Sequence, residues 1–245
     1  MIRLRRHALP PHILARMTVL TGQLSAIPEQ RRSAQARRMW SADRTVRPTV
    51  RSTLGEMAPG RERCMYCGDN QGSDVDHFEP LARNPLRAFD WLNHLLACSI
   101  CNSHFKRDRY PVAEDGSALL IDPTVDDPLD HLRLSLTAGA YHPVTDRGAA
   151  TIEVCGLNRP VLTRGRVAAR STVERCVRMW DRARTLGDEQ LAAELVLTVH
   201  EQPFADVCQA MLRAARSPGA QQVLAPEVIR LLRQPALRRL LDLTL

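Results

Sequence analysis

Two Cys-x-x-Cys pairs, Cys64–Cys67 in RCMYCG and Cys98–Cys101 in ACSICN, are separated by thirty residues. A Cys-x-x-Cys turn sets two thiolates on the same side of a tight loop, and zinc favours four soft ligands in a tetrahedron. Gly68, directly after the first pair, suits such a turn. Cys64, Cys67, Cys98 and Cys101 are therefore expected to form one closed structural Zn²⁺ site. The competing readings are two redox pairs or four small core residues. A four-cysteine site leaves no open coordination position, so any catalysis must lie elsewhere.

The segment between the pairs contains SDVDHFEP (73–80), in which Asp76 directly precedes His77. In isolation this dipeptide fits a surface turn, a pair of zinc ligands or the centre of an enzyme. If zinc clamps both ends of the segment, Asp76 and His77 meet Asn102, the residue after the last cysteine. Asn93 lies in the same stretch. An imidazole near its ordinary pKa of about 6.5 can act as a base at neutral pH.

The order Asp-His, Asn, Cys-x-x-Cys-Asn, Lys over about residues 62–110 resembles the HNH endonuclease family in its four-cysteine zinc subset. HFEP and WLNHLLACSICNSHFK are most like the HNH proteins of retron- and Septu-type antiphage systems. His94, between Asn93 and Leu95, departs from that pattern. A weaker likeness continues through RYPVAEDGSALLIDPTVDDPLDHL and TIEVCGLNRPVLTRGR. The resemblance implies a ββα-metal core, with His77 as general base and Asp76 and Asn102 as ligands of a catalytic Mg²⁺ or Mn²⁺. It implies products with 5′-phosphates, and Asn93 as the residue that fixes the loop carrying His77. Lys106, Arg107 and Arg109 become candidates for phosphate contact, and His104 a further ligand or phosphate contact. The implied activity is hydrolysis of DNA, with RNA as an alternative, in an antiphage effector licensed by a protein partner such as an ATPase or a retron complex. A reading from a different class is a zinc-stabilised nucleic-acid-binding or adaptor module without catalysis. Such a module needs the cysteines and arginines but has no use for Asp76, His77 and Asn102.

Charge supports a polyanionic partner. The 245 residues carry a net charge of +7, and residues 1–63 hold thirteen arginines against four acids. Arg37 and Arg38, in the basic run 31–47, are candidates for tracking a nucleic-acid backbone. Lys106 is the sole lysine, and residues 111–130 hold six acids and no basic residue. That acidic stretch would turn away from nucleic acid or meet a partner. Apolar residues make up 44% and aromatics only 4%, which predicts an aliphatic core. No apolar run is long enough for a membrane span, and the basic N-terminus lacks the apolar run of a secretory signal, so the expected location is cytoplasmic. Cys155, Cys176 and Cys208 read as buried small apolar residues.

The elements expected to position these groups make a mainly α protein with a small α+β module. Four segments are expected: an Arg-rich helical stretch (1–60), the zinc-stabilised HNH core (61–112), a short-strand and acidic-loop extension (113–157) and a C-terminal helical region (158–245). HILARMTVLTGQL and residues 29–42 read as helices, and 45–59 as a connector or short helix. SALLID (117–122), HLRLSL (131–136) and AYHPV read as strands. Asn158 is the expected N-cap of a helix running to about Ala183, followed by a helix over DEQLAAELVLTVHEQ, another opened by Pro203, and a broken pair at the end.

Overall fold

Arginine-rich α2 can be a helix because it needs to bury very little. It spans Glu29–Ala42 and inserts only Ala36 and Trp40 into the core. Its neighbours supply the apolar faces: α1 (Pro11–Ser25) buries Ile13, Met17 and Leu24, and α3 (Val46–Met57) buries Val46, Val50, Leu54 and Met57 at helical spacing. Asp43 joins them. Its Oδ1 accepts the backbone N–H groups of Thr45 and Val46 at the start of α3, and its Oδ2 pairs with Arg16 at 2.6 Å. The computed structural model describes residues 1–243.

Next comes a two-stranded antiparallel sheet, β1 (Asp74–His77) and β2 (His94–Ala97), with Asp76 opposite Leu95 and His77 opposite His94. A helical segment of wide π-type turns, Ile100–Lys106, follows directly. This β–β–helix order fits the expected small α+β module. Beyond it, α4 (Pro128–His131) leads into β3 (Leu132–Leu134), which pairs antiparallel with β4 (Tyr141–Pro143). α5 (Asp146–Val154) is capped by Thr145, whose Oγ1 accepts the Gly148 N–H.

The C-terminal region is a helical stack. α6 (Pro160–Leu186) starts on a proline and ends at Gly187, whose φ of +74° supplies the left-handed stop. Asp188 then caps α7 (Glu189–Glu201), so the two helices form a hairpin. α8 (Ala205–Ala214), α9 (Ala220–Val223), α10 (Pro226–Leu232) and α11 (Pro235–Leu241) complete it. This region is bonded to the cysteine module: the Phe204 N–H donates to the Gly68 carbonyl at 2.8 Å. Buried Arg166 ties α6 to the β3–β4 turn and to α8. It donates to the Gly139 and Leu157 carbonyls and pairs with Asp206. The buried apolar residues form one contiguous cluster from Met1 to Leu241. No helix among the described residues is long and apolar enough to cross a membrane.

Two sequence expectations need correction, and one helix was not expected. Residues 117–122 are not a strand; only an isolated bridge pairs Val112 with Ala118. Asn158 does not cap α6. Its side chain clamps the backbone of Tyr141 through both amide atoms, and Arg159 occupies the cap position. The helix α5 is not among the expected elements.

Candidate active site beside a cysteine cluster

The four cysteines converge as their spacing requires. Cys64, Cys67, Cys98 and Cys101 are buried, and their Sγ atoms all lie within 4.8 Å of one another. A tetrahedral ion with Zn–S bonds of about 2.3 Å needs sulfurs about 3.8 Å apart, and Cys67 and Cys98 are at 4.0 Å. Gly68 takes a φ of +70° and returns its N–H to the Cys64 carbonyl. Burial pushes the Cys64 thiol well up, so four thiolates can coexist here only if a cation compensates them. Donors already surround the sulfurs. The Cys101 N–H and the Asn70 amide face Cys98 Sγ, and the Arg159 guanidinium faces Cys101 Sγ at 3.7 Å. The cluster has the ligand set and the spacing to hold a metal ion.

A cleft of about 220 Å³ opens beside it, lined by Arg37, Trp40, Asp76, His77, Asn102 and Arg107 among others. The three residues singled out for chemistry therefore share one cavity wall. Each is set in place by a different part of the chain.

His77, at the end of β1, is half-buried. Its Nε2 lies 3.1 Å from the Ala88 carbonyl. A carbonyl only accepts, so Nε2 carries the proton and Nδ1 keeps the free lone pair. Burial lowers the pKa of the imidazole, with the positive charges of Lys106 and Arg37 adding to the effect, which favours the neutral form.

Asp76 is 3% exposed. Its Oδ2 accepts from the Tyr66 hydroxyl at 2.6 Å and its Oδ1 from the Lys106 ammonium at 3.1 Å. A carboxylate offers about four acceptor sites, so these bonds leave capacity for an ion. Asn102 donates its Nδ2 to Asp74 at 3.2 Å. Because that partner is a carboxylate, the amide must present its nitrogen there, which frees Oδ1.

Asn93 is fully buried and closes the loop between the strands. Its Oδ1 accepts the Glu79 N–H, and its Nδ2 donates to the Glu79 and Arg87 carbonyls. His94 follows Asn93 and faces His77 across the sheet.

The basic candidates separate into different environments. Arg37 and Arg107 line the cleft, and Arg37 lies 3.6 Å from Asp108 at its mouth. Arg38 is exposed on α2 but is not part of the cleft wall. Arg109 folds back onto the Phe105 and Val154 carbonyls, and His104 is exposed away from the cleft. Lys106, expected to meet phosphate, is fully buried and bonds Asp76 and the His77 carbonyl. In this geometry it has no surface to offer. Lys106→Met should therefore behave as a core lesion. It leaves a buried carboxylate without its counter-charge, a loss of about 3–5 kcal/mol, readable as a lowered urea midpoint.

Sequence reasoning missed Trp40, Tyr66, Asp74 and the Ala88 carbonyl. The only signal for Tyr66 was its place inside the first Cys-x-x-Cys. Trp40 carried none beyond being the only large aromatic group on a basic helix. The acidic stretch is engaged internally: Asp126 pairs with Arg147, and Asp127 and Asp130 pair with Arg213.

No protein-family model matches the chain. It is similar to the Septu protein PtuB of Bacillus mycoides (strain KBAB4), with 24% identity over 156 residues, covering 51% of this chain. The chain spans about half of that relative's length (52%). The Septu name agrees with the likeness drawn from the HFEP and WLNHLLACSICN motifs.

Proposed function

We propose that the protein is a metal-dependent HNH endonuclease that hydrolyses phosphodiester bonds of DNA, as the effector of an antiphage defence system. The observation that carries this reading is the meeting of Asp76, His77 and Asn102 on one cleft wall, beside a cysteine cluster that needs none of them. In this reading β1, β2 and the helical segment 100–106 are the ββα-metal core, and the cysteines hold a structural Zn²⁺.

Asp76 and the freed Oδ1 of Asn102 are oxygen donors suited to a hard cation, Mg²⁺ or Mn²⁺. Such an ion would offset charge on the scissile phosphate and on the leaving oxygen. Lys106 neutralises part of the Asp76 charge, so phosphate and water ligands weigh heavily in the site's hold on a cation. His77 Nδ1 takes a proton from a water molecule as the water oxygen bonds to phosphorus. The bond from phosphorus to the 3′ oxygen breaks, that oxygen takes up a proton from solvent water, and the products are a 5′-phosphate and a 3′-hydroxyl. Asn93 keeps the Arg87–Ala88 stretch of the loop in register with His77 through the Arg87 carbonyl.

Arg37 and Arg107 grip the phosphate backbone at the cleft. Replacing both with alanine should weaken binding to all DNA sequences alike. The slope of log K against log salt should fall by about 0.9 for each phosphate that these side chains no longer neutralise on duplex DNA. A fluorescence-anisotropy salt titration measures this, and an unchanged slope would remove both residues from the interface.

The Septu relative supports action with a partner protein, such as an ATPase or a retron complex, that aims or licenses the nuclease. The other reading, a zinc-stabilised binding module without catalysis, draws on the engagement of Asp76 by Lys106 and Tyr66. Purified protein incubated with Mg²⁺ or Mn²⁺ and plasmid DNA, single-stranded DNA or RNA separates these readings. Cleavage of DNA is expected; cleavage of RNA alone would reassign the substrate. Binding without cleavage, with and without the partner, would favour the module.

A further inference from the structure

A second histidine stands against the candidate base. The strand register places His94 opposite His77, and the two rings meet edge-on with centroids 4.9 Å apart. His94 is fully buried. It stacks on Trp40 at 4.6 Å with the ring planes 18° apart, and Trp40 in turn meets His77 at 5.0 Å. Both imidazoles direct Nε2 at one acceptor, the Ala88 carbonyl, each at 3.1 Å. An oxygen with two lone pairs can accept both bonds, and it dictates the same tautomer to both rings.

His94 is a poor choice as mere filling. Its Nδ1 is buried with no hydrogen-bond partner, a cost that an apolar side chain of similar size would avoid. What the imidazole adds over such a side chain is the Nε2–H bond to Ala88 and a flat wall for His77.

We propose that His94 is a positioning residue that, with Trp40 and the Ala88 carbonyl, holds His77 in a single ring orientation with Nδ1 free to accept a proton. This rests on the reading of His77 as the general base. If His77 turned over about its Cβ–Cγ bond, the carbon Cδ2 would stand where Nδ1 had been, and that face of the ring could take no proton. His94 opposes this by fixing the acceptor that His77 Nε2 meets in one orientation only, and by crowding the ring's passage to the other.

The test compares His94→Met with His94→Gln. The two side chains have nearly the same shape, but only glutamine keeps a donor at the position of Nε2. The methionine variant should retain metal content, melting temperature, DNA affinity and KM, while kcat falls about tenfold to a hundredfold, as expected for a misoriented catalytic group. The glutamine variant should recover most of that loss. Long-range ¹⁵N–¹H spectra of His77 give a readout that needs no activity. Wild type should show one Nε2–H tautomer and His94→Met a mixture. A methionine variant with wild-type kcat and an unmixed His77 spectrum would overturn the proposal, as would a wild-type His77 protonated on Nδ1. If wild type cleaves no nucleic acid but the His77 spectrum still responds to His94, the nuclease reading fails and the clamp stands.

Discussion

His77→Ala should abolish cleavage while the protein remains folded and metal-loaded. Loss of a general base costs about 10²- to 10⁴-fold in rate, and a plasmid-nicking time course resolves that range. The fold should survive for three reasons visible around the ring. His77 is half-buried rather than enclosed. Its strand partner His94 continues to donate to the Ala88 carbonyl, so that acceptor is not orphaned. The loop is tied independently by Asn93. Binding should be retained, because Arg37 and Arg107 are untouched. An alanine variant that nicks plasmid at the wild-type rate would remove His77 from the chemistry.

Cys98→Ser should have the opposite character, losing metal and fold together. Structural zinc in small modules contributes about 10–16 kcal/mol, against a total domain stability of about 5–15 kcal/mol. Cys98 is also the sulfur toward which the Cys101 N–H and the Asn70 amide point, so serine disturbs its supporting donors as well. The damage should spread, because Gly68 anchors Phe204 and Arg159 reaches Cys101 from the start of α6. Elemental analysis and thermal denaturation by circular dichroism are the measurements, with Cys176→Ala, outside the cluster, as the control that keeps its metal. A stable Cys98→Ser protein with a full complement of zinc would contradict the structural role.

The candidate site was legible in the sequence where spacing alone carries geometry. Cys-x-x-Cys can bring its two sulfurs together in only a few ways, and the second pair gives the first something to share. The same spacing brought Asn102 to Asp76 and His77. Helices whose ends carry strong local signals were also readable, as with Pro160 and Gly187 bounding α6. Features decided by distant partners were not. Lys106 reads as one of a run of basic residues at a helix end, and Asp76 and the His77 carbonyl, about thirty positions away, explain its burial. Residues 117–122 have the apolar content of a strand, yet only residues 117–119 bond back to the chain before them, and side chains take over the backbone groups that follow. Thr151 Oγ1 accepts the Ile121 N–H, and Arg147 donates to the Leu120 carbonyl. Asn158 is a good cap by type, but the Tyr141 backbone competes for both of its amide atoms. Trp40 reaches His77 only because α2 packs across the loop containing Pro85–Phe89.

The proposed function divides the labour between two metals: the cysteines would hold zinc for the fold, and Asp76 with Asn102 a different ion for the reaction. The most direct measurement is plasmid cleavage by zinc-loaded protein as Mg²⁺ or Mn²⁺ is withdrawn and restored, with zinc content followed in the same samples. Cleavage should stop on withdrawal and return on restoration while zinc and the melting temperature stay constant. Cleavage that persists without Mg²⁺ or Mn²⁺ and follows the zinc content would contradict the account.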